Sequence, residues 1–294
     1  MMKNPILRLA AWTARLLPAP CKKLLYRQAA LASAIRGALN KAAPEGLQEV
    51  RVAGGILAGW RMELDLHSEK DYWLGTYEPD LQRAARAYIR SGMVVADVGA
   101  NIGYISLIAA RLAGESGHVY AFEALPANIT RLEKNVALNS LGDRVVMTHA
   151  AITDKVGEAV FLAHESGAMG KAEGSAGRNA DYQSRLRVPA LTLDHFFLEQ
   201  HHPAPQLVKM DIEGGEGFAL AGMRHLLAET RPLLLIELHG EEAARQVWEQ
   251  LRAHAYRLHA MGAGNPTVES VEALDWKAYV IAMPEESVNN RKTR

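Results

Sequence analysis

The chain has 294 residues, 49% of them apolar, which is enough for a sizeable core and excludes global disorder. Lysine plus arginine and aspartate plus glutamate balance at 33 each. Yet residues 1–44 hold Lys3, Arg8, Arg15, Lys22, Lys23, Arg27, Arg36 and Lys41 and no acid, so the rest is an acidic body poorly suited to clamping a nucleic acid.

Cys21 is the only cysteine, which excludes an internal disulfide framework and a cysteine-rich zinc site. No apolar run approaches the roughly 18–20 residues of a membrane span. In chain order, residues 5–17 and 22–39 read as two amphipathic helices separated by Pro18 and Pro20. Arg8 and Arg15 interrupt the apolar stretch, so the arm makes a poor signal peptide. Gly54, Gly55 and Gly59 punctuate a strand-like entry through Leu66. Residues 79–90 read as a helix with Pro79 in its first turn, stopped by Ser91-Gly92.

Strand and helix then alternate. Met93–Val98 is an apolar run, as expected of a strand buried on both faces. A helix over Gly103–Ala113, a strand over His118–Glu123, a helix over Pro126–Ser140 and a strand over Val145–Ala151 follow. Val160–Ala163 reads as a short extra strand. Residues 164–187, polar and rich in Gly, Ser and Ala, read as a long flexible loop or lid. Further elements are a helix over Leu191–Gln200, a strand over Gln206–Met210, a helix near 214–228 and a strand over Leu233–Leu238. The last are a helix over Glu241–Ala253 and strands over Tyr256–Ala260 and Tyr279–Met283. The organisation predicted is an arm over 1–44, one α/β domain over 45–284 and a disordered tail over 285–294. The sheet is expected to be mostly parallel and seven-stranded, with ligands bound at the carboxyl ends of its strands.

The residues after the first core strand are Asp97-Val98-Gly99-Ala100-Asn101-Ile102-Gly103. Gly99 and Gly103 permit a tight turn and close approach of a ligand. Glu123, at the end of the second core strand, is placed to accept ribose hydroxyls. A dinucleotide fingerprint would need a glycine where Asn101 stands, and Gly103 is one position out of step. An acid at Asp97 suits the cationic amino group of S-adenosylmethionine better than a pyrophosphate.

DVGANIG at 97–103, AFE at 121–123, TLD at 192–194, VKMDIEGGE at 208–216 and LIELH at 235–239 occur in the order found in FkbM-type methyltransferases. Gly75-Thr76-Tyr77-Glu78-Pro79 upstream is similar to that family's entry segment. The resemblance covers roughly residues 70–240. One departure is Ala124, where the family often has proline.

The resemblance implies a Rossmann-like class I methyltransferase using S-adenosyl-L-methionine to O-methylate a hydroxyl on a sugar, glycan or secondary metabolite. Asp97 would then face the methionine amino group, Gly99, Asn101 and Gly103 would shape the loop, and Glu123 would hold the ribose. Ala151 and Ile152 would flank the adenine, and Tyr77 and Glu78 would cover the methionine end. Tyr77 fits a half-buried packing aromatic equally well.

Methyl transfer to an alcohol needs in-line geometry and a way to remove the proton. Lys209 and Asp211 share a face of one strand, and Glu237 and His239 share a face of the next, so all four could converge. Three readings stay open. His239 or Asp211 is a general base; some of the four bind a divalent cation, although no compact metal motif is present; or Asp211 and Glu213 cap the next helix while Glu237 pairs with Lys209. His201-His202 reads as a solvated loop pair. The alternatives in function are a nucleic-acid or protein methyltransferase, or a binding module that kept the fold without the chemistry. The expected partners are a small-molecule or glycan acceptor and no nucleic acid. The expected location is cytoplasmic; residues 1–44 read either as a helical cap packed on the domain with its charges in water or as an arm touching an anionic inner-membrane surface.

Overall fold

The computed structural model describes residues 4–16, 29–164, 170–177 and 181–285. Expectations for 17–28 and for the tail from 286 lie outside them. Two compact units are present: residues 1–79 with 134–140, and residues 80–133 with 141–294. The first unit therefore runs beyond the 44-residue arm.

In the first unit, helices Pro5–Leu16 and Ala29–Ala42 bury Leu7 and Leu39. The stretch read as one strand-like entry is a hairpin of β1 (Leu47–Arg51) and β2 (Arg61–Asp65). The glycines lie in its connection. They are needed because the chain passes close to itself: a Cβ on Gly75 would sit 2.2 Å from the Gly54 carbonyl oxygen. Asn135 and Asn139 fasten β2 by its backbone, Asn135 Oδ1 accepting from Glu63 N at 2.7 Å and Asn139 Oδ1 from Arg61 N at 2.9 Å.

The second unit opens on the helix Pro79–Tyr88 and is built on a seven-stranded sheet. Its strands are β3 (Val94–Val98), β4 (His118–Glu123), β5 (Val145–His149), β10 (Leu207–Met210), β11 (Leu233–His239), β12 (Tyr256–Ala260) and β13 (Lys277–Pro284). Across the sheet they run β12-β13-β11-β10-β3-β4-β5, all parallel except β13. The central strands are apolar because both faces are covered. Helix Tyr104–Ala113 packs against β3 and β4, and helix Glu241–Ala253 against β11 and β12. The chain order reverses between β3 and β10, so the crevice at their carboxyl ends is where a doubly wound sheet takes a ligand.

Five local expectations are corrected. The third core strand ends at His149, and Ala151–Ile152 (β6) belongs to a second sheet with β7 (Gly157–Ala163), β8 (Gly170–Ala172) and β9 (Ser184–Leu191), in the order β6-β9-β7-β8. Within the expected loop, residues 170–172 and 184–187 are paired strand, while 165–169 and 178–180 lie outside the described residues. Its polar residues gave no apolar alternation because β9 is exposed over its first four positions. Leu191 is the last residue of β9, and the helix after it is a short π-type segment, His195–Glu199, with Thr192 Oγ1 accepting from His195 N at 3.0 Å. The helix expected near 214–228 breaks into Glu216–Ala221 and Leu226–Thr230. Gly222 stands at the break, where a Cβ would be 2.2 Å from the Thr153 carbonyl oxygen. Asp194 restarts the helix by accepting from the backbone N–H of His225 and Leu226. His202 is not simply solvated; it stacks on Phe196 at 4.2 Å.

Candidate active site

β3 ends at Val98, and the chain turns at once against the end of β10. Gly99 takes a φ of +76°, and a Cβ there would lie 1.9 Å from the Asp211 carbonyl oxygen, so the turn requires glycine. The backbone N–H groups of Gly99 and Ala100 both donate to the Phe122 carbonyl, which docks the loop on β4. Asn101 adopts a φ of +50°. Gly103 begins the next helix where a Cβ would meet Leu132 Cδ1 at 2.4 Å.

Asp97 is held by partners within the protein. Its side chain is sealed from solvent, with Oδ2 accepting from Ser106 Oγ at 2.6 Å and Oδ1 lying 3.3 Å from Lys209 Nζ. Lys209 is also buried and donates to the Gly99 carbonyl at 2.8 Å. The register explains the pairing: Lys209 of β10 stands beside Asp97 of β3. Adjacent buried charges pair because either alone would be costly. Lys209 therefore pairs with Asp97 and braces the glycine turn, while its charge still acts on Asp211.

Glu123 is buried at the tip of β4. Its Oε2 accepts from Asn101 N at 2.8 Å, and its Oε1 from Leu125 N at 2.8 Å and Asn128 Nδ2 at 3.3 Å. Burial pushes the carboxyl up, and these hydrogen bonds oppose it. A carboxylate offers about four acceptor positions. Three are used, so roughly one is left for a ribose hydroxyl rather than the two expected. The fit to a nucleoside is kept by the glycine cradle and this remaining acceptor. Glu123→Ala is expected to weaken donor binding by about 1–3 kcal/mol, since it removes a charge-assisted hydrogen bond and unties Asn101. Titration calorimetry showing parental affinity would remove Glu123 from the site.

Ala151 and Ile152 are buried strand residues of β6, with Ala151 packed among Leu125, Phe161 and Val188. Tyr77 and Glu78 belong to the first unit. There Tyr77 packs edge-on against Tyr72 at 4.4 Å, and Glu78 has a φ of +40°.

Asp211, Glu237 and His239 do converge, each offering a ligand-type atom within 4.8 Å of the others. Glu237 Oε1 lies 3.0 Å from His239 Nε2 and also pairs with Lys277 Nζ. Glu237 thus pairs with His239 and Lys277, not with Lys209. Burial opposes its ionisation, but the hydrogen bonds from His239 and Lys277 prevail and hold its carboxyl at about 2. Burial likewise opposes a charged His239, yet Glu237 and the nearby Asp211 and Glu213 raise it. The contact therefore favours the charged form of both groups. Asp211 behaves oppositely. Burial, with Glu237 and Glu213 nearby, pushes its carboxyl up to about 6 against the pull of Lys209 and His239.

Three contributors were not legible as site residues. Lys277 arrives on antiparallel β13, which starts two residues before the expected Tyr279. Lys171 of β8 is buried, and Glu213 acts on its charge; burial lowers its pKa. Glu216 is fully buried and accepts from Ile212 N at 2.9 Å and Gly214 N at 3.4 Å, which folds the turn after Asp211. Neither Asp211 nor Glu213 caps the helix Glu216–Ala221, whose first turn has no side-chain cap. The only signal in the sequence was the presence of acids and a histidine inside otherwise apolar strand ends.

A doubly wound sheet with an antiparallel seventh strand, a glycine turn after its first strand and an acid after its second define an S-adenosyl-L-methionine-dependent methyltransferase of the Rossmann-like class. The chain belongs to the methyltransferase FkbM domain family, whose model matches residues 97–258, more than half of the chain. Among solved structures, the O-methyltransferase from Bacillus cereus in complex with SAH is 13% identical, over 70% of this chain and 81% of that one, with a TM-score of 0.45. Methyltransferase FkbM from Methylobacillus flagellatus KT is 17% identical, over 74% of this chain and 53% of that one, with a TM-score of 0.43. Precorrin-6y C5,15-methyltransferase from Geobacter metallireducens GS-15 is 14% identical, over 70% of this chain and 85% of that one, with a TM-score of 0.41. No curated protein matches the chain.

Proposed function

We propose that the protein moves the methyl group of S-adenosyl-L-methionine to a hydroxyl oxygen of a sugar, glycan or secondary metabolite, with Asp211 taking the hydroxyl proton. The observation that carries this reading is the position and acidity of Asp211. It follows β10 directly, its backbone carbonyl touches the Gly99 turn, and its carboxyl titrates at about 6. A base is most useful when it titrates near the working pH. His239 is committed to Glu237 through Nε2, a contact that favours its protonated form, so it serves to hold Asp211 and the acceptor in place.

The donor supplies an electrophilic methyl group on a sulfonium. The turn braced by Asp97 and Lys209, together with Glu123, would hold it beside Asp211. The acceptor oxygen gains the methyl group, its proton passes to Asp211, and the partly exposed carboxyl releases it to water. The Asp211, Glu237 and His239 trio also resembles a loose divalent-cation site. Lys277 and His239 already occupy Glu237 Oε1, so the base reading fits these contacts better. The acidic body disfavours a nucleic-acid acceptor. The test is incubation with isotopically labelled S-adenosyl-L-methionine and cell-envelope or metabolite extracts, followed by mass spectrometry. A methyl ether on a hydroxylated product is expected; label found on nitrogen, carbon or nucleic acid would overturn the acceptor class.

A further inference from the structure

Nine large hydrophobic side chains stand exposed among the described residues, and four of them lie on the two N-terminal helices. On helix Pro5–Leu16, Ile6, Leu9 and Trp12 are 45%, 61% and 60% exposed, while Leu7 points inward at 3%. Spacings of three keep Ile6, Leu9 and Trp12 on neighbouring turns of one side. Helix Ala29–Ala42 is tied to the first by Asn4 Nδ2, which donates to the Ala42 carbonyl at 3.4 Å. It buries Leu39 and presents Ile35 at 43% exposure. The inward positions are therefore already filled, and an apolar strip faces out. The sequence up to residue 44 holds eight bases and no acid; of these bases, the side chains of Arg8 and Lys41 are described, and both are exposed.

We propose that this strip docks on an anionic bilayer, with the helices lying in the interface rather than crossing it. Basic residues bordering an exposed Trp and Leu are what an interfacial helix needs: a charged rim for lipid headgroups and an apolar edge that enters the acyl boundary. No described helix is long and apolar enough to span a membrane. A second copy of the chain is a poorer occupant, because it would bring its own eight bases against these. The docking is independent of which acceptor is methylated.

The test is vesicle flotation of the full chain, comparing phosphatidylcholine vesicles with and without phosphatidylglycerol, at low and at high salt. Binding is expected only to the anionic vesicles, and it should weaken as salt rises. Leu9→Ser combined with Trp12→Ser should cut binding by about tenfold or more, with an unchanged melting curve, since both side chains are exposed. Should that variant misfold, Arg8→Glu with Lys41→Glu, both at exposed positions, is read in the same assay and should also release the protein. Four results would overturn the proposal: no binding to anionic vesicles at low salt, equal binding to neutral vesicles, parental binding by the folded variants, or a solution dimer that the first variant dissociates.

Discussion

Asp211→Asn should lower kcat by about 10²–10⁴-fold, the usual worth of a positioned base, while donor affinity stays near the parent's. The amide keeps the shape of the carboxylate but cannot accept a proton. It also removes a negative charge from beside Glu237 and Glu213, so the folded state should not lose stability. In the parent, the carboxyl must be ionised to act. Its value of about 6 lies above the ordinary carboxylate range, so kcat should fall as pH drops through about 6 and level off above it. Rapid-mix turnover against pH, run with and without chelator, checks this. Full turnover in the variant would remove Asp211 as the base. Activity abolished by chelator and restored by Mg²⁺ or Mn²⁺ would instead make the trio a cation site. His239→Ala should give a different pattern, because it leaves the Glu237 carboxylate, which is only 4% exposed, with Lys277 as its remaining ion-pair partner. A drop in melting temperature should accompany any loss of rate.

Asp97→Ala should destabilise the fold by about 3–5 kcal/mol, the cost of leaving one partner of a buried pair uncompensated. The side chains of Lys209 and Asp97 are 5% and 0% exposed, so water does little to screen them. Lys209 would lose its paired carboxylate while still donating to the Val98 and Gly99 carbonyls, and Ser106 would lose the Asp97 acceptor. Urea denaturation of the ligand-free protein measures the change. The same variant separates two roles for this acid. An unchanged urea midpoint with sharply reduced donor affinity would return Asp97 to direct contact with the ligand. A lowered midpoint, with donor affinity falling only because the turn loosens, fits the brace seen here.

The sequence by itself determined the strand-helix alternation of the second unit. The apolar runs at Val94–Val98, Leu207–Met210 and Leu233–His239 are too short for ordinary helices and are bounded by turn residues, which marks them as strands covered on both faces. It also placed Asp211, Glu237 and His239 together, because parity along two adjacent strands is fixed by the period of two. Tertiary structure decided what parity cannot reach. Lys209 has the parity of Asp211 but pairs with Asp97, since a lysine stem is long enough to turn toward the neighbouring buried charge. Lys277 enters from β13, and Lys171 and Glu216 enter from elements whose placement no local pattern encodes. The second sheet was hidden because β9 leaves its first residues in water and so shows no apolar alternation. Proton affinities came last of all. Asp211 and Glu237 are both strand-end acids, and only their three-dimensional neighbours push one up and pull the other down.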